Sequence, residues 1–128
     1  MDATLLDGAR ERLLARRDEI RSELDRMATE MQWIGQDQDD EGGLGNHIGD
    51  DGSNVSEAER ISTISDDLED VLAQVNAALQ RIDHGTYGLC QRCGKTIAPE
   101  RLEAFPYVMY CIDCQAAIER ENAMRLGF

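Results

Sequence analysis

Four cysteines stand out among the 128 residues as side chains whose type and spacing can do chemistry together. Cys90 and Cys93 form one C-x₂-C pair, Cys111 and Cys114 form another, and seventeen residues separate the pairs. Two intervening residues let a tight turn aim both sulfurs at one point, and this double spacing is that of a zinc module. Gly94, next to Cys93, allows the backbone to bend round and direct amides at the thiolates. Zinc takes four thiolates tetrahedrally, and four protein ligands leave no position for water or substrate. The expected cofactor is therefore one structural Zn²⁺, without which residues 86–114 lose their fold. Such a metal contributes on the order of 10–16 kcal/mol near neutral pH, more than so short a segment's own core. An iron–sulfur cluster or a redox dithiol pair is the competing reading.

Other reactive groups are sparse. His47 and His84 are isolated, and the chain has no nucleophile–His–acid set, phosphate loop or paired general acid and base, so an enzyme is not expected. No apolar run approaches the ~18 residues of a membrane span, and the N-terminus lacks the order of a signal peptide. Four cysteines in such a chain favour metal over disulfides, since the cytoplasm keeps thiols reduced, and that is the expected location. The net charge of −13 is uneven. Residues 28–90 hold two bases against fourteen acids, whereas the flanking regions are nearly balanced. That middle repels phosphate backbones, which argues against sequence-specific DNA binding, and is drawn to basic protein surfaces or cations.

The elements that must position these groups are helical. Leu6, Leu13, Ile20, Met27 and Ile34 recur every seven residues, with Leu24 and Met31 in the second seam position, and predict one long helix over 4–34. Arg10 and Arg17 occupy that second position in the first heptads, where their stems can cover the seam while the guanidinium groups reach water. Trp33 is expected to pack on the second helix or to serve as a partner contact. A second helix is predicted over roughly 55–83, opened by a Ser56–Glu59 capping box and ended by Gly85. Its seam runs through Ile61, Ile64, Leu68, Val71, Val75, Ala78 and Ile82. Between them, six glycines and six acids over 35–52 predict a mobile acidic loop.

The fold class expected is mainly α: a long antiparallel coiled-coil hairpin, a small four-cysteine zinc finger and a C-terminal helix. Residues 1–84 form the hairpin, with the loop near 35–52 at its tip, and residues 85–128 the zinc module. The last helix, about 112–125, is expected to pack back through Ile112, Ala116 and Ile118. Pairing of the seams between two chains is the alternative use of the heptads.

The run Arg81-Ile82-Asp83-His84-Gly85-Thr86-Tyr87-Gly88-Leu89-Cys90, followed by Cys93-Gly94, Ile97, Arg101-Leu102-Glu103-Ala104, Pro106 and Cys111-Ile112-Asp113-Cys114, resembles the DksA/TraR family of bacterial transcription regulators. The resemblance implies a protein that binds RNA polymerase, inserts its hairpin tip into the secondary channel and modulates initiation. Many members carry D-x-x-D-x-A at the tip. Here His47, Asp50 and Gly52 fall on those positions, so the second carboxylate is retained, and Asp50, with Asp51 beside it, is the expected functional group. Members that respond to ppGpp carry basic residues where this chain has Phe105 and Gln115, which implies weak or absent ppGpp coupling through that surface. A zinc and coiled-coil interaction adaptor that does not act on polymerase is the alternative function.

Overall fold

The computed structural model describes residues 2–39 and 48–127, with side chains described over 2–34 and 55–127. Four helices follow one another: α1 (Ala3–Asp39), α2 (Ile48–His84), α3 (Pro99–Ala104) and α4 (Ile112–Arg125). Helices α1 and α2 have 37 residues each, and would be about 55 Å long if straight.

Both long helices run further toward each other than the glycine pattern predicts. Residues 35–39 continue α1, and α2 already begins at Ile48. A glycine costs about 1 kcal/mol in a helix, which raises the cost of extension without forbidding it once a long helix is nucleated. Ser56 is consequently an interior residue of α2 and not its N-cap. His47 lies outside the described residues. Asp50, Asp51 and Gly52 belong to the first turns of α2, and their side chains lie outside those described.

By packing, the chain divides into two compact units. One joins Met1–Arg16 to Gln74–Phe128, and the other is Arg17–Ala73. In the first, Leu13 of α1 and Val75, Ala78 and Ile82 of α2 are buried, as the heptads require, and so is Ala9, which lies off the expected seam. Full burial of a Leu or Val side chain stabilises by about 1.5–3 kcal/mol, so this seam holds the helix pair together. The Arg10 guanidinium meets Asp83 at 3.0 Å, an early position on α1 against a late one on α2. In the second unit Ile20, Met27 and Ile61 are buried, and the Ser65 hydroxyl donates to Met27 Sδ at 3.3 Å. Both pairs have the order of antiparallel helices.

Arg17 behaves only partly as expected. Its stem is covered, but its Nε is buried without a hydrogen-bond partner, 3.9 Å from the Asp18 carboxylate. Trp33 does not pack on α2, since it is 62% exposed. Helix α4 packs back less closely than anticipated: none of its residues is buried, Ile112 is 68% exposed and Ala116 is exposed, while Ile118 is half-buried. No helix of the described residues is long and apolar enough to cross a membrane.

Candidate metal centre

The first cysteine pair is positioned by the way α2 ends. Gly85 takes φ +76°, its N–H bonds the Ile82 carbonyl, and the Thr86 N–H bonds the Arg81 carbonyl. This is a Schellman closure, and it turns the chain sharply into the knuckle. There Gly94, at φ +77°, lets its N–H reach the Cys90 carbonyl at 3.0 Å, and the Cys90 N–H reaches Lys95 O at 2.8 Å. Leu89 and Thr96 form an antiparallel bridge across the base of the turn. The turn brings the N–H groups of Arg92 and Cys93 to 3.4 and 3.5 Å from Cys90 Sγ. This is the role anticipated for the glycine.

The second pair is built on a helix start. Cys111 is the N-cap of α4, with extended backbone, and its Sγ accepts from the Cys114 N–H at 3.5 Å. The free amides and dipole of a helix N-terminus favour a thiolate there.

All four sulfurs lie within 4.8 Å of one another, and Cys93 Sγ and Cys111 Sγ are 3.8 Å apart. With Zn–S bonds near 2.3 Å, the edge of a ZnS₄ tetrahedron is about 3.8 Å. The acid–base character of the cluster also suits a cation. Burial pushes the Cys90 thiol up, yet the amides of Cys93, Cys111 and Arg92 outweigh it and bring the group down to about 6. Cys114, by contrast, is pushed up to about 12 by burial and by its hydrogen bonds with Cys111, Cys90 and Cys93. One thiolate forms readily and a further one resists, until a dication neutralises the cluster. The residues fit a single structural zinc held by Cys90, Cys93, Cys111 and Cys114.

The segment that delivers Cys111 is held at four successive points. Tyr87 OH donates to Pro106 O at 2.9 Å, and the Arg81 guanidinium reaches Val108 O at 3.4 Å. The Gln91 N–H bonds Met109 O at 2.8 Å, and Arg101 Nε bonds Tyr110 O at 3.2 Å. Tyr87, Ile97 and Leu102 are buried beneath, and Arg81 itself is only 9% exposed. Burial lowers the Arg81 pKa and raises that of Tyr87. These supporting roles leave little trace in the sequence. Arg81 flanks the seam residue Ile82, a position where charged side chains are ordinary, so the sequence does not mark it. Arg92 forms a two-pronged ion pair with Glu121 at 2.7 and 3.3 Å, tying α4 to the first knuckle.

Residues 85–120 match the model of the prokaryotic dksA/traR C4-type zinc finger. The chain is 39% identical over 77 residues to general stress protein 16O of Bacillus subtilis, covering 60% of this chain and 47% of that protein. It thus spans about half the length of that relative. It is 30% identical over 114 residues to the RNA polymerase-binding transcription factor DksA of Escherichia coli, covering 88% of this chain and 70% of that protein. Among solved structures, transcription factor DksA2 of Pseudomonas aeruginosa superposes with a TM-score of 0.79 at 23% identity, over 95% of this chain and 88% of that one, which shows a shared fold. On this likeness, extending through the helix pair as well as the finger, the chain belongs to the DksA/TraR zinc-finger family.

Proposed function

We infer that this protein is a transcription regulator that binds RNA polymerase, inserts the end of its helix pair into the secondary channel and modulates initiation. The observation that carries the reading is the likeness to the polymerase-binding factor DksA over 88% of the chain, helix pair included. Residues 1–84 act as the hairpin arm and residues 85–128 as its zinc-locked base. A pair of long helices can enter a pore that excludes a rounder body. Asp50 and Asp51, with His47 and Gly52, are the residues this reading assigns to its tip. Carboxylates there are drawn to the cations of a nucleotide-entry channel.

Coupling to ppGpp through the finger surface is weak in this proposal. Phe105 is 54% exposed and offers no charge, and the Gln115 amide already donates to Glu119 at 3.2 Å. An anion at that surface would meet a carboxylate where it needs a cation. Reversing both charges, Asp50→Lys with Asp51→Lys, is expected to abolish the change in transcript yield in a defined reaction while zinc content stays the same. Regulation equal to that of the unaltered protein would refute the tip mechanism.

A further inference from the structure

The unit formed by Met1–Arg16 and Gln74–Phe128 contains, besides the metal centre, a cavity of about 660 Å³ open to solvent. This volume falls in the range of small-molecule sites, about 300–1,000 Å³. Its apolar lining is Leu5 of α1 and the edges of Ala9, Ile82, Tyr87, Ile97 and Leu102, which are buried in the unit's own core. None of these side chains binds the metal. Leu5 is 56% exposed on this wall, an apolar side chain left in water by the chain's own packing.

Two features of α1 suggest that the cavity receives a ligand. Gly8 lines it from within a helix, where glycine costs about 1 kcal/mol relative to alanine. An added Cβ at Gly8 would meet only the Arg12 guanidinium, at 3.8 Å, an ordinary contact. Nothing in this chain therefore requires glycine there, whereas a ligand lying against the α1 backbone would. Arg12, one turn on, also lines the cavity and has no hydrogen bond or ion pair among the described residues. The cavity's two acids, Asp2 and Glu103, are exposed as Arg12 is, and differ from it in their bonding and position. The Asp2 carboxylate accepts from the Thr4 N–H at 3.2 Å in the first turn of α1, and Glu103 is exposed.

We propose that this cavity binds an anionic amphiphile, its aliphatic or aromatic body on the apolar walls against Gly8 and its single anionic group on Arg12. This site is independent of the polymerase reading and of the metal. It is tested on the zinc-loaded full chain by calorimetric titration with decanoate, with decylamine as the cationic counterpart of equal length. Decanoate is expected to bind saturably at one site, and decylamine at least tenfold more weakly. Arg12→Gln should weaken decanoate at least fivefold with zinc content and melting temperature unchanged. Gly8→Ala should raise the melting temperature, as a helix glycine replaced by alanine does, and at the same time weaken decanoate. Absence of decanoate binding, preference for decylamine, or a Gly8→Ala protein that is more stable and binds equally well would each overturn the proposal.

Discussion

The Tyr87 hydroxyl donates to the Pro106 carbonyl at 2.9 Å, so a residue three positions past the end of α2 holds the start of the segment leading to Cys111. A group three positions before the first metal ligand thereby orients the backbone that carries the third. Tyr87→Phe keeps the ring in its buried place and removes only this bond. The expected cost is about 1 kcal/mol, a fall of a few degrees in melting temperature, with one zinc per chain retained. Transfer of zinc to a competing chelator should be faster in the variant.

Zinc removal has a larger effect, because the module has little apolar core of its own beyond Tyr87, Ile97 and Leu102. Chelation, or Cys114→Ser, is expected to abolish the amide protection of residues 85–125 in hydrogen exchange. Ligand thiols must be deprotonated to bind, so acid releases the metal and alkali favours it. A zinc-sensitive dye should report loss of metal as pH falls, never as it rises from neutrality.

Arg17 offers a stabilising substitution. Its Nε is buried without a hydrogen-bond partner, with the Asp18 carboxylate standing off at 3.9 Å, an arrangement that costs about 1–3 kcal/mol. Arg17→Leu fills the same heptad position with an apolar side chain and should raise the melting temperature by several degrees. A lowered value would show that the arginine stem already packs better than leucine can.

The Glu57–Arg60 pair supplies a pH prediction in the other unit. The hydrogen bond from Arg60 holds the Glu57 carboxyl below the usual glutamate range. A depressed folded-state pKa contributes stability above the unfolded value, and that contribution is lost as pH falls through the folded one. Both groups are exposed and the contribution is small, so the readout is the titration itself. Carboxyl chemical shifts should give Glu57 a pKa below the ordinary glutamate value, and Arg60→Gln should raise it.

The heptads made both long helices legible, because only a helix keeps residues seven apart on one face, and Leu13, Ile20, Met27, Val75 and Ile82 are buried on it. The metal centre was legible for a similar reason: the spacing of Cys90, Cys93, Cys111 and Cys114 is itself a geometric statement. Helix extent near 35–52 was not, since glycine content sets a cost and cannot show whether a long helix bears it. The exposure of Trp33 and Ile112 was also hidden, because an apolar residue signals burial only when its neighbours repeat its phase. The roles of Arg81 and Arg101 were hidden because their partners are carbonyls of Val108 and Tyr110, and backbone acceptors leave no mark on sequence.

Binding to core RNA polymerase is the most direct measurement, made with the fluorescently labelled, zinc-loaded chain at moderate salt. Saturable one-to-one association is expected, strongly weakened when Asp50 and Asp51 are both reversed in charge. A folded, zinc-replete chain that gives no association at any polymerase concentration would contradict the account.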